Sequence, residues 1–286
     1  MKIIAHISDP HFGRELPEVA KGLLDELNGG TATKPSLVAI SGDLTQRARP
    51  EQFRDARAFL DALTAPYLVV PGNHDIPMYD VFRRFLSPLS RFEKYISKDM
   101  TPFYEDDEMV VCGMNTAHSL TVKDGIVRGD QLATVCERFA QHPKAWKLLV
   151  AHHPFVVPNQ IPESYLVAGA PEALPKLEAV RVDMILTGHL HVSYARSADA
   201  AGYRNEEHSL LGVNAGTCIS NRHRGEPNSY NRLEINGDTV TITNRQWNGT
   251  QFVDGPEKAY RHGRGADRLV KVAEVTAPAF PPTTPA

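Results

Sequence analysis

Short apolar runs recur along the first two-thirds of the chain, and each is cut off by a polar or glycine-bearing turn. Residues 3–8 carry Ile3-Ile4-Ala5-His6-Ile7, residues 37–40 are Leu37-Val38-Ala39-Ile40, and residues 67–70 are Tyr67-Leu68-Val69-Val70. Runs this short and this apolar predict strands buried on both faces. Between them the apolar residues return at helical spacing. Val19, Leu23, Leu24 and Leu27 predict a helix over 17–27, and Phe53, Ala56, Phe59, Leu60 and Leu63 predict one from Pro50 to Leu63. Proline suits the first position of a helix, where its missing N–H has no partner to lose. Strand, helix, strand, helix, strand with short connections predicts an α/β layered fold.

The rhythm breaks over 78–98. Val81, Phe82, Phe85, Leu86, Leu89, Phe92, Tyr95 and Ile96 form an apolar stripe, with Arg83, Arg84, Arg91, Lys94 and Lys98 opposite. Pro88 should split this segment into two short helices. The expectation is a helical insertion that packs by its stripe and leaves a solvated basic face. Further on, 103–105 and 109–114 predict a hairpin across Asp106-Asp107, and Leu132, Val135 and Phe139 predict a helix over 130–141. Residues 146–151 and 184–186 are strands, with a helix over 171–180 between them. From about 193 the chain turns β-rich, with strands over 193–197, 208–214, 229–236 and 239–246, and this part is expected to supply a second sheet. Residues 1–250 then form one domain. Residues 251–286 read as a polar, Pro-rich tail, disordered at its end, where Thr, Pro and Ala dominate.

Composition narrows the partners. The net charge of -3 over 286 residues gives no general attraction to nucleic acid or to a membrane surface. Cys112, Cys136 and Cys218 are odd in number and far apart, which fits a reducing compartment rather than a disulfide framework. Met1-Lys2 runs directly into the first strand, with no secretory pattern, and no 18-residue apolar run appears. The expectation is a cytoplasmic protein without a spanning helix.

The chemistry lies at the strand ends. Five of them carry Asp9-x-His11, Gly42-Asp43, Gly72-Asn73-His74-Asp75, His152-His153-Pro154 and Gly188-His189-x-His191. Ligands bind outside the carboxyl ends of strands in open α/β sheets, so the five loops can converge. Carboxylates, imidazoles and one amide without a thiolate suit divalent or trivalent ions such as Mn, Fe, Zn or Co. Seven such donors are too many for one ion and suit two that share a carboxylate. Paired ions about 3.5–4 Å apart clamp a phosphoryl group and turn a water between them into a nucleophile near neutral pH.

Together these blocks resemble the calcineurin-like metallophosphoesterases, whose pattern is D-x-H, G-D, G-N-H-D, H and G-H-x-H. The resemblance spans residues 9–191. It implies a four-layer αββα sandwich of two mixed sheets flanked by helices, with the metals between the sheet edges. It also implies residue roles. Asp9, His11 and His191 correspond to ligands of the first ion, Asn73, His152 and His189 to ligands of the second, and Asp43 to the bridge. His74 corresponds to the catalytic histidine beside the substrate, near Asn73, and Asp75 to the residue that orients it. The family spacing His-x-Pro selects His152 over His153, which then supports the site or faces substrate. His118, after the strand at 109–115, is a candidate substrate contact. Arg222, His223 and Arg224 read as a solvated loop rather than a phosphate clamp.

Within the family the compact size and early D-x-H resemble the bacterial phosphodiesterases of cyclic nucleotides and glycerophosphodiesters. The expectation is therefore a hydrolase of a small phosphodiester, with a homodimer compatible with this group and no stable nucleic-acid partner. A UDP-2,3-diacylglucosamine pyrophosphatase is the alternative, supported by the 78–98 stripe. Apolar residues of that segment pointing away from the protein would favour it. A metal-free scaffold on the same fold is the alternative from another class, and it is opposed by the intact donor set.

Overall fold

The computed structural model describes residues 1–30, 34–198, 210–222, 224–262 and 269–275. In chain order the elements are β1 (Lys2–Ile7), α1 (Pro17–Asn28), β2 (Leu37–Ile40), α2 (Pro50–Asp61), β3 (Tyr67–Val69), α3 (Val81–Leu86), α4 (Ser90–Tyr95), β4 (Phe103–Glu105) and β5 (Met109–Met114). They continue with α5 (Gly129–Ala140), β6 (Trp146–Ala151), α6 (Ala170–Ala179), β7 (Met184–Thr187), β8 (Tyr194–Ser197), β9 (Leu211–Asn214), β10 (Ser229–Asn236), β11 (Thr239–Trp247), β12 (Phe252–His262) and β13 (Leu269–Val275).

Two mixed sheets lie face to face. One has the strand order β13-β12-β11-β10-β1-β2-β3 and the other β4-β5-β6-β7-β9-β8. β1, β2 and β3 run parallel, as do β5, β6, β7 and β9. Strand alternation sorts the apolar residues into three cores. Ile4, Leu37, Ala39, Val111, Leu148 and Val150 face the gap between the sheets. Ala5, Ile7, Val38 and Ile40 face α1 and α2. Val110, Cys112, Leu149 and Ala151 face α5 and α6. Helices, sheet, sheet, helices are four layers, so the αββα sandwich is the observed architecture. Both faces of the central strands are covered, which is why they read as unbroken apolar runs.

Three expectations are corrected. The carboxyl third does not build a sheet of its own. β10 pairs antiparallel with β1 and extends the first sheet, whereas β9 joins β7 in the second. Residues 252–262 and 269–275 are not tail but strands β12 and β13. Gly255 and Pro256 disguised β12: they sit where its register against β11 shifts between Thr243 and Arg245, and proline is tolerated at such irregularities. The third concerns 78–98. Pro88 does divide it, but only α4 packs as expected, burying Phe92 and Leu89 with Phe92 edge-on to Phe53. In α3 the polarity is reversed. Arg84 is 8% exposed, while Phe82 is 83% and Leu86 81% exposed. Arg84 donates to the Pro77 carbonyl at 3.2 Å and to that of Thr121, which turns the apolar side of α3 to solvent. His223, residues 208–209 of the expected 208–214 strand and the segment from Thr276 lie outside the described residues. No helix among the described residues is long and apolar enough to cross a membrane.

Candidate metal centre

The carboxyl ends of β1, β2 and β3 from one sheet, and of β6 and β7 from the other, deliver their loops to one edge of the sandwich. Their backbone is strained. Asp9, His11, Asp43, His189 and His191 all have positive φ, between 46° and 68°. Only Ala48 and Arg181 share that state among the described non-glycine residues. Left-handed backbone costs a non-glycine residue about 1–3 kcal/mol and persists only where surrounding contacts enforce it. Here Asp9 N–H donates to the Gly42 carbonyl at 3.2 Å, His11 N–H to that of Asp43 at 3.1 Å and Gly188 N–H to that of His152 at 3.0 Å. Close approach demands glycine at two points. A Cβ at Gly188 would lie 1.8 Å from Ser8 Oγ and 2.5 Å from Asp9 Oδ2, and one at Gly72 would lie 2.2 Å from Asp43 Oδ1.

The two carboxylates are handled alike. Asp9 Oδ2 accepts from Ser8 Oγ at 2.6 Å and from His189 N–H at 3.0 Å. Its Oδ1 has no hydrogen-bond donor and faces His191 Nε2 at 3.2 Å and His11 Nε2 at 3.5 Å. Asp43 Oδ1 accepts from His74 N–H at 2.8 Å. Its Oδ2 faces His152 Nε2 at 3.4 Å and His11 Nε2 at 3.7 Å. Asn73 Oδ1 lies 3.1 Å from both His152 Nε2 and His189 Nδ1, while its Nδ2 donates to the Val122 carbonyl at 3.0 Å. His152 Nδ1 donates to the Ser41 carbonyl and His191 Nδ1 to that of Arg222, both at 2.7 Å. The opposite nitrogen of each ring is thereby presented inward, the arrangement that metal-ligating histidines adopt.

These residues fit cations. Donors about 2.0–2.2 Å from a four-coordinate ion stand roughly 3.4 Å from one another, close to the separations here. Asp9, His11 and His191 form one such group and Asp9, Asp43 and His152 another. The electrostatics agree. Burial would raise the Asp9 carboxyl, but His191 and His11 outweigh it and hold it well below the usual carboxylate range. Burial works against His152 as a cation, yet Asp43 lifts it to about 9, whereas burial and the neighbouring His152 push His189 down to about 3. The buried carboxylates call for positive charge, supplied by protons or by ions, so ion binding must release protons.

The other nominated residues divide. His74 stands beside the cluster, its ring 4.9 Å from that of His11, and lines a cavity of about 210 Å³ with Gln46, Arg47, Asn73, Arg84 and Arg222. Asp75 is buried but does not touch the His74 ring, which corrects the orienting role. Its carboxylate accepts from Gly72 N–H, Leu44 N–H, Thr45 N–H and Thr45 Oγ1 at 2.9–3.1 Å, tying the loop after β2 to the loop after β3. Burial and the nearby Asp43 push its carboxyl up. His153 lies within 4.8 Å of His152 and His189 by its donor atoms, but both its nitrogens are engaged. Thr116 Oγ1 is 2.8 Å from Nδ1 and the Lys123 carbonyl 2.9 Å from Nε2. It braces the two rings instead of facing substrate. His118 does not line the cavity, and its Nδ1 accepts from Leu120 N–H at 3.3 Å. Arg222, read from sequence as a solvated loop residue, reaches the cavity. Its signal in the sequence is the short basic run that follows an apolar strand.

Residues 3–193 match the calcineurin-like phosphoesterase family. The chain belongs to that family. Among curated relatives it is 38% identical over 97 residues to a glycerophosphodiester phosphodiesterase from Enterobacter lignolyticus, covering 30% of this chain and 34% of the relative. It is 23% identical over 161 residues to a probable cyclic nucleotide phosphodiesterase from Synechococcus, covering 56% and 59%. It is 26% identical over 206 residues to a cAMP/cGMP dual specificity phosphodiesterase from Mycobacterium tuberculosis, covering 67% and 62%. The chain thus spans between a third and three-fifths of these relatives' lengths. Among solved structures, a dimetal phosphatase from Danio rerio superposes with a TM-score of 0.59 at 14% identity, covering 88% of this chain and 98% of that one. The family's sandwich is therefore the fold of this chain.

Proposed function

We propose that this family member is a dinuclear metal-dependent phosphodiesterase of a cyclic nucleotide or related small diester. Asp43 carries the reading: one oxygen, Oδ2, faces His152 on one side and His11 on the other, as a shared ligand must. Asp9, His11 and His191 would then hold one ion and Asn73, His152 and His189 the other. Ions of the Mn, Fe, Zn or Co type would neutralise phosphoryl charge and acidify a water. The chain's own residues position the rest. Asn73 serves both sides, its Oδ1 toward the imidazoles and its Nδ2 pinned to Val122. His74, fixed through Gln46, lines the cavity where a leaving oxygen would stand. The phosphodiesterase names of the three relatives support a diester.

A lipid-linked pyrophosphate, of the UDP-2,3-diacylglucosamine kind, is the second reading. The outward apolar side of α3 favours it, since Val81, Phe82, Phe85 and Leu86 are exposed and Met78 reaches the cavity. The test is hydrolysis of bis(p-nitrophenyl) phosphate, 3′,5′-cyclic AMP and UDP-2,3-diacylglucosamine by the Mn-loaded protein, each with a chelated control. Turnover of the first two but not the third supports the diesterase. Turnover of the lipid alone moves the substrate while leaving the metal centre. Full metal content with no turnover of any of them sinks both.

A further inference from the structure

Three arginines line the cavity beside His74, and their side chains are committed differently. Arg84 is fastened to two backbone carbonyls, and Arg47 to the Tyr79 hydroxyl. Arg222 reaches inward. Its Nη1 lies 2.9 Å from His74 Nε2 and 3.3 Å from Gln46 Oε1. The Gln46 carbonyl, 2.8 Å from His74 Nδ1, can only accept, so Nδ1 carries the ring hydrogen and Nε2 accepts from Arg222. The Nε and Nη2 groups of Arg222 have no partner among the described residues, and no carboxylate is paired with it. Asp43 and Asp9 act on this half-buried guanidinium only through space, so an anion in direct contact would offset the cost of its burial. Its fork geometry matches phosphoryl oxygens. The main chain of the same residue holds the centre, since its carbonyl accepts from His191 Nδ1 at 2.7 Å.

We propose that Arg222 clamps a non-bridging oxygen of the phosphoryl group through its free N–H groups while Nη1 holds the His74 ring in place at the wall of the cavity. The inference rests on the phosphoester reading only in taking the ligand to be a phosphoryl group, whatever its substituents. It adds a cationic binding residue to the donor set and ties substrate capture to His74 orientation.

Titration calorimetry with inorganic phosphate on the Mn-loaded protein tests it, with metal content measured alongside. Arg222→Ala is expected to keep its metal, because any residue supplies the carbonyl to His191. Its phosphate affinity should fall about tenfold or more, as loss of a charge-assisted contact does. Arg222→Lys should recover part of the affinity as a point charge. With bis(p-nitrophenyl) phosphate, KM should rise in both variants, and kcat should fall further in Arg222→Ala. Unchanged phosphate affinity in Arg222→Ala would overturn the clamp, as would loss of metal in both variants. A wild-type protein that binds phosphate, loses it on substitution and hydrolyses no diester would leave the clamp standing and remove the diesterase reading instead.

Discussion

The floor of the site and its rim are built on opposite terms. The floor is buried and strained: Asp9 and His11 are fully buried, with Asp9 Oδ1 and His11 Nδ1 left without hydrogen-bond partners, and Asp75 accepts four hydrogen bonds without touching the His74 ring. The rim is α3 and the loop near Leu120 and Val122, both exposed, held to the body by Arg84 and by the Asn73–Val122 bond. The floor has little freedom to vary, so it specifies a chemistry. The rim carries apolar surface that the fold does not need, so it is where a substrate's substituents can be distinguished.

The comparison can be broken at the floor first. Asp43→Ala should empty at least one metal position and abolish hydrolysis, read by elemental analysis and turnover together. Retained stoichiometry of both ions would remove the shared-ligand role. Gly188→Ala changes no donor, yet its methyl group would press on Ser8 and Asp9. It should cost about 1–3 kcal/mol of stability by overpacking and weaken metal binding, so a normal melting temperature with full metal content would count against the tightness of the floor. His74→Ala should keep the metal and lower turnover about 10²–10⁴-fold, most for poor leaving groups. An emptied metal position would instead make His74 a ligand.

The rim should respond more gently. Phe82→Ser with Leu86→Ser should leave stability within about 0.5 kcal/mol, as exposed substitutions do, and leave turnover of small diesters intact. A large fall in melting temperature would mean that α3 packs after all. Away from both regions, the effect to read is a proton. Burial pushes His6 down to about 3, whereas the unfolded chain titrates it near 6.5. Between those values only the unfolded state binds the proton, so stability rises with pH across that window and falls on acidification, by at most about 1.4 kcal/mol per pH unit. His6→Asn should flatten the slope of chelated protein below pH 6.5, measured as chemical denaturation at stepped pH.

What the sequence revealed follows the same division. The layered fold was readable because strands buried on both faces leave unbroken apolar runs, and the donor loops because each lies immediately after such a run. Asp75 reads as the partner of His74 because the two are adjacent in sequence, whereas Leu44 and Thr45, which it holds, are some thirty residues upstream. Arg222 reads as a solvated loop residue because a short basic run in a polar loop carries no spacing that separates a cavity-facing arginine from a surface one. The reversal of α3 was hidden because an apolar stripe says that one face differs from the other, not which of them meets the protein. β12 reads as tail because Gly255 and Pro256 interrupt its alternation at the irregularity they occupy.

The contact between Asp9 and His189 also sets a timetable. These residues share a hydrogen bond across 180 positions of sequence. At about 5–20 residues per second, a ribosome that has finished Asp9, His11, Asp43 and Asn73 still needs several seconds or more before His152, His189 and His191 emerge. The nascent chain therefore holds one half of its donors without the other, and the left-handed turns at Asp9 and Asp43 lack the second sheet that encloses them. A cation shared by donors of both sheets could be captured only late, once the two sheets have closed on each other, so the later loops would decide when the site is complete.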